Sequence, residues 1–142
     1  MTAVVVDASV AVKWLVAEAG TDTALALLGD ELHAPDLIHA EVANILWKKQ
    51  LRGEIDPELA AYSAEVLTHV QMQIEACATL LIDAVALAVR LGHPAYDCFY
   101  LALAQRMGVP LVTADKRLAA RCQQSDTPDL GGFVRLLTAP DH

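Results

Sequence analysis

Four acidic residues sit in otherwise apolar segments of this 142-residue chain. Asp7 follows Ala3-Val4-Val5-Val6, Glu41 lies between Ile38 and Val42, Asp97 is the only charge between Pro94 and Gln105, and Asp115 closes Leu111-Val112-Thr113-Ala114. A carboxylate drawn out of water without a partner costs several kcal/mol or keeps its proton. Gathered within about 4–6 Å, such groups repel by a few kcal/mol per pair at an effective dielectric near 20. Four together would rival a net stability of roughly 5–15 kcal/mol, so a fold that converges them must bind cations or take up protons. Oxygen ligands without His or Cys at metal spacing favour a hard ion, Mg2+ with Mn2+ as substitute, over zinc.

The length suits one domain spanning 1–142, and a 55% hydrophobic composition with few aromatics suits an alanine-rich, helix-heavy fold with apolar surface left for a homodimer or a protein partner. Cys77, Cys98 and Cys122 are odd in number and form no CxxC pair, so neither a disulfide framework nor a zinc knuckle is expected and the cytoplasm is the natural compartment. No basic segment precedes the first apolar run, and Leu80 to Leu91 is interrupted by Asp83 and Arg90, so neither a signal peptide nor a membrane span is expected. A formal charge of -8 opposes general polyanion binding. A cation held by the acids would invert the potential that a phosphate meets locally.

The periodicity alternates strand and helix, the pattern of a mostly parallel sheet covered on both faces. Strands are expected at Ala3 to Val6, Leu32 to Ala34, Gln71 to Glu75, Pro110 to Thr113 and Gly132 to Leu137. Helices are expected over Val10 to Ala17, Asp22 to Leu28, Leu37 to Leu51, Pro57 to His69, Thr79 to Leu91, Pro94 to Met107 and Lys116 to Gln123. In such a sheet, functional groups collect outside the carboxyl ends of the strands where the strand order reverses. Asp7 and Asp115 each follow a strand directly, and Asp97 lies in the first turn of its helix. Glu41 lies about one turn into the long helix, where only the tertiary fold decides whether it joins them.

The segments VVVDAS, APDLIHAEVANILWK, AYDCFYLALA and LVTADKRL, carrying Asp7, Glu41, Asp97 and Asp115, resemble the four acidic motifs of PIN-domain ribonucleases. In length and motif order the whole chain resembles the VapC toxins of bacterial toxin-antitoxin pairs. The resemblance implies a PIN-like α/β/α sandwich with about four to five strands. It further implies a Mg2+-dependent endoribonuclease, usually dimeric, held inactive by a cognate VapB antitoxin. Asp7, Glu41, Asp97 and Asp115 would hold one or two Mg2+ ions that acidify a water and stabilise charge on the scissile phosphate. Water as the nucleophile predicts 5'-phosphate and 3'-hydroxyl ends. The family's fourth acid is often the more loosely engaged, which singles out Asp115.

Ser9 is a candidate to hydrogen-bond a metal ligand or a phosphate and Thr113 to orient Asp115, although Ser9 also reads as the cap of the first helix and Thr113 as an ordinary strand-end hydroxyl. Glu41, Asn44, Lys48 and Arg52 fall at steps of three or four on one helix face, a stripe that either leads phosphates to the metals or is simply solvated. Asp36 reads as an N-cap, and Lys13, Lys116, Arg117 and Arg121 read as surface charges. Cys98 and Tyr100 read as core residues, and Trp14, Trp47, Tyr96 and Phe99 read as packing rather than base-stacking residues. His39-Ala40-Glu41 spells the H-x-E of zinc deaminases, but the P-C-x-x-C which that chemistry needs is missing, so a zinc deaminase is not expected. His33, His69, His93 and His142 show no ligand spacing. Two other functions fit the acids. One is a Mg2+-dependent phosphatase or phosphoacceptor, for which Asp7-Ala8-Ser9 lacks the usual second Asp, and the other is a PIN-like interaction module that does not cut.

Overall fold

The computed structural model describes residues 2–124 and 126–137. Ala3–Val6 forms β1, whose last three residues are buried as a strand covered on both faces must be. Two helices, α1 (Ala8–Leu15) and α2 (Thr21–Ala26), lead to β2 (Glu31–Pro35). The long α3 (Leu37–Leu51) and α4 (Pro57–His69) follow, then β3 (Gln73–Glu75). Next come α5 (Leu81–Leu91), α6 (Ala95–Met107) and β4 (Leu111–Thr113). The described chain closes with α7 (Lys116–Cys122), α8 (Pro128–Gly131) and β5 (Val134–Leu136).

All four strand pairings are parallel, in the order β3-β2-β1-β4-β5. The chain steps from β1 outward to β3, then crosses back to lay β4 beside β1. Right-handed crossovers therefore put α1 to α4 on one face and α5 to α8 on the other. Accordingly α1 packs on α2 and α3, and α3 on α4, while α5 packs on α6, which lies across β1, β2 and β4. The expected α/β sheet with helices on both sides is what the chain forms. The order reverses between β1 and β4, so the crevice beyond Val6 and Thr113 is the switch point.

Several boundaries differ from expectation for identifiable reasons. The first helix begins at Ala8 because Asp7, not Ser9, is its cap: the Asp7 side chain accepts the Val10 N–H at 3.2 Å. Asp36 occupies the cap position of α3 but makes no cap bond, because its Oδ1 accepts the Cys77 N–H at 3.1 Å from the turn after β3. The segment Cys77–Thr79 is a separate 3-10 turn ahead of α5, and the four-residue α8, opened by Pro128, has too few residues to show periodicity. Lys13 and Arg121 are not simple surface charges. Lys13 Nζ bonds Glu18 at 3.1 Å and the Ala19 carbonyl at 2.8 Å, and Arg121 Nε donates to the Leu91 carbonyl at 2.6 Å. The core holds Val4, Val5, Val6, Ile38, Leu101, Leu111 and Leu118, all fully buried. Among the described residues no helix is long and apolar enough to cross a membrane.

Candidate active site

Asp7, Glu41, Asp97 and Asp115 all line one small recess of about 130 Å³, together with Ala8, Ser9 and Ile45. It lies at the carboxyl ends of β1 and β4. A larger recess of about 550 Å³ sits at the amino ends of β2 and β3, lined by residues such as Asp30, Glu31 and Gln73. Size points to the second and chemistry to the first. Only the small recess combines the switch point with all four acids, so it is the candidate site.

Each acid reaches the recess by a different local device. Asp7 is 4% exposed and is held from three directions. Ser9 Oγ donates to Oδ1 at 2.5 Å, the Val10 N–H reaches the same oxygen, and the Thr113 hydroxyl donates to Oδ2 from the neighbouring strand. Burial pushes the Asp7 carboxyl up to about 6, against the opposing pull of those bonds and with a further push from Asp97. Glu41 reaches in from α3, where burial and the negative charge of Asp97 raise it while the Tyr100 hydroxyl, 2.6 Å from Oε1, counteracts. Asp97, in the first turn of α6, lies 2.6 Å from His93 Nε2.

Asp115 caps α7, its Oδ1 accepting the Arg117 N–H at 2.9 Å and the Leu118 N–H at 3.4 Å. Helix capping thus occupies one of its oxygens. Thr113 and Ser9 form a small relay behind the acids: the Asp115 N–H donates to Thr113 Oγ1 at 3.0 Å and the Ala114 N–H to Ser9 Oγ at 2.9 Å. Both hydroxyls therefore touch Asp7 and the chain leading to Asp115.

Asn44 is exposed and lines an adjacent groove with Glu41, Ile45 and Tyr96, whereas Lys48 and Arg52 are exposed further along α3 and do not line the recess. The stripe on α3 therefore divides after its first turn. Lys49 instead turns inward, 2.5 Å from Glu18, which also bonds Lys13. Two partners of the acids were not legible as such. Tyr100 is fully buried as the sequence suggests, yet its hydroxyl reaches an acid 59 residues away in the chain, and His93 pairs with Asp97 one helical turn on. The spacing of His93 and Asp97 was the available signal; nothing local pointed from Tyr100 to Glu41. Tyr96 is 64% exposed at the lip of the Asn44 groove, outside the core.

The donor set suits a hard divalent cation, because every candidate ligand is a carboxylate and their mutual repulsion is felt at both Asp7 and Glu41. As placed, no three His, Cys, Asp or Glu side chains among the described residues close around a point as a complete protein cage would. Magnesium seldom uses such a cage, since it keeps several waters and takes one or two carboxylates directly.

The PIN domain family profile matches residues 4–123. Ribonuclease VapC3 of Pyrobaculum aerophilum is 37% identical over 128 residues, covering 87% of this chain and 98% of that protein. Ribonuclease VapC1 of Mycobacterium tuberculosis is 34% identical over 118 residues, covering 82% of this chain and 88% of that protein. The crystal structure of PAE2754 from Pyrobaculum aerophilum superposes with a TM-score of 0.63 over 84% of this chain and 79% of that chain, at 23% identity, and so supports the fold. The chain belongs to the PIN-domain family, among the proteins of VapC type.

Proposed function

We propose that this protein is a Mg2+-dependent endoribonuclease and the toxin of a VapBC-type pair. The observation that carries the reading is the convergence of Asp7, Glu41, Asp97 and Asp115 on one recess at the switch point of the sheet. The curated relatives are named ribonucleases, which supports RNA as the substrate.

Asp7, Glu41 and Asp97 would hold the cation, with Asp115 contributing its less engaged oxygen. When bound, Mg2+ supplies positive charge at the scissile phosphate and makes water acidic enough to attack near neutral pH. The protein's own part is preorganisation. Ser9 and Thr113 fix both oxygens of Asp7, so that little rotamer freedom is lost on binding. His93 fixes Asp97, and the cap of α7 fixes Asp115. With a chain charge of -8, RNA is drawn to the recess only after cation binding offsets the acids.

A homodimer is supported by α5, whose Leu81, Ile82, Val85 and Val89 form an exposed apolar stripe. Docking of an amphipathic antitoxin segment is supported by a groove between α3 and α4, lined by Leu46, Trp47, Pro57 and Ala60, beside exposed Leu51 and Tyr62. Three free cysteines accord with the reducing cytoplasm.

The test is RNA cleavage with and without metal. Wild type with Mg2+ should leave 5'-phosphate and 3'-hydroxyl ends, and EDTA or Asp97→Asn should abolish the cuts. Cleavage that persists in EDTA, or cyclic phosphate ends, would overturn the reading.

A further inference from the structure

Tyr100 is the largest fully buried side chain in the described core, yet it carries a hydroxyl. A phenylalanine would fill nearly the same volume without it, so the hydroxyl needs its own explanation. Its partner is Glu41 Oε1 at 2.6 Å, which links α6 to α3. A phenol is a neutral donor at ordinary pH, so at this distance the Tyr100 hydroxyl donates to the Glu41 carboxylate. Glu41 has the longest side chain of the four acids and approaches from a helix rather than a strand end. It therefore has the most rotamer freedom to lose when it takes up a ligand. Among the described residues Tyr100 is the donor on Oε1, and none reaches Oε2.

We propose that Tyr100 is a positioning residue, which aims the Glu41 carboxylate into the acidic recess by donating to Oε1 and so leaves Oε2 free for a divalent cation. This rests on the metal-dependent reading above and gives a role to a residue of the Asp97 motif that is not itself an acid. A buried donor behind a metal-binding carboxylate orders it before the ion arrives, and losing such a partner commonly lowers metal affinity by about 10–100-fold. A purely structural tyrosine would change stability and leave affinity alone.

The experiment measures Mn2+ binding by calorimetry and, separately, the Mn2+ dependence of RNA cleavage, for wild type, Tyr100→Phe, Glu41→Gln and the double variant. Wild type is measured first, because failure to bind Mn2+ there defeats the metal-dependent reading itself. Given binding, Tyr100→Phe should stay folded and bind Mn2+ at least about 10-fold more weakly. Its cleavage rate should approach that of wild type at saturating Mn2+, a change in metal requirement more than in turnover. In the Glu41→Gln background the same change should have little further effect on affinity. Wild-type affinity in folded Tyr100→Phe, or an equal loss with Glu41 already replaced, overturns the proposal. Should Tyr100→Phe not fold, 13C-labelled tyrosine in wild-type protein still decides. Tyr62→Phe and Tyr96→Phe identify the Tyr100 signal by elimination, and it should shift as Mg2+ saturates the site. A signal that stays still overturns the proposal.

Discussion

At the scale of single residues, Asp7 shows most clearly how stability is set against the site. Its carboxyl is raised from 3.8 to about 6 by burial, so between those values the folded protein holds a proton that the unfolded chain has lost. Stability must therefore fall as pH rises from about 4 through 6, and remain lower above, by at most about 3 kcal/mol if the whole shift counts. Asp7→Asn removes that ionisation. In EDTA at pH 7 its urea midpoint should exceed that of wild type, with the advantage shrinking towards pH 4; a variant less stable at both pH values would make Asp7 a structural residue. Saturating Mg2+ should narrow the gap, by stabilising wild type alone. Thr113→Val tests the same acid from its neighbour, since it leaves Asp7 Oδ2 short of a donor in a fully buried setting. The expected cost is about 1–3 kcal/mol in denaturant unfolding, together with weaker Mn2+ binding.

Among elements, α3 is the one whose placement matters most, since it brings Glu41 to Asp7 and Asp115 at the strand ends and to Asp97 at the start of α6. Its far end is tied to the other helices on that face by Glu18, which accepts from Lys49 of α3 and Lys13 of α1. Burial alone would raise the Glu18 carboxyl, but these two lysines outweigh it and hold it below its usual range. The sign is opposite to that of Asp7: the contribution is present above the unfolded value of 4.5 and lost as pH falls through the lower folded one. Glu18→Gln should lower stability at pH 7 by about 0.5–1 kcal/mol, screened as such partly solvated pairs are, with the difference vanishing in acid and shrinking in high salt. An undiminished difference in 1 M salt would point to packing instead.

The elements also mark where sequence reasoning succeeds. Valine-rich β1, the short run Leu111–Thr113 of β4, helices stopped by Gly92 and Gly108, and Pro57 behind the cap Asp56 all carry local signals, and their strand and helix assignments hold. Strand-end acids inherit that legibility, because topology puts Asp7 and Asp115 in one crevice. What stays hidden is whatever depends on a contact between distant segments. Asp36 abandons its cap for Cys77, Lys49 finds Glu18 across 31 residues, and Tyr100 finds Glu41 across 59.

At the scale of the whole molecule, α5 presents Ile82 and Val89, 85% and 78% exposed, with Val85 and Leu81 beside them. Three of these fall at i, i+3 and i+7, so they make one stripe along the helix, and Ala84, Leu87 and Leu91 already bury its other side against the core. A two-fold axis through that stripe would lay α5 against its copy antiparallel, with like residues meeting as an isologous contact requires. Asp83 and Arg90 flank the stripe near opposite ends but pair within the chain, with Arg106 and Asp129, so the apolar side chains are what such a contact would bury. On this reading sedimentation velocity should give wild type about twice the 15.2 kDa chain mass, and Ile82→Glu should give the chain mass itself. The residues lining the recess all come from one chain and none from α5, so Mn2+ affinity per chain should be the same in both proteins. A wild type that sediments as a single chain, or an Ile82→Glu variant that stays paired, would remove α5 from the interface.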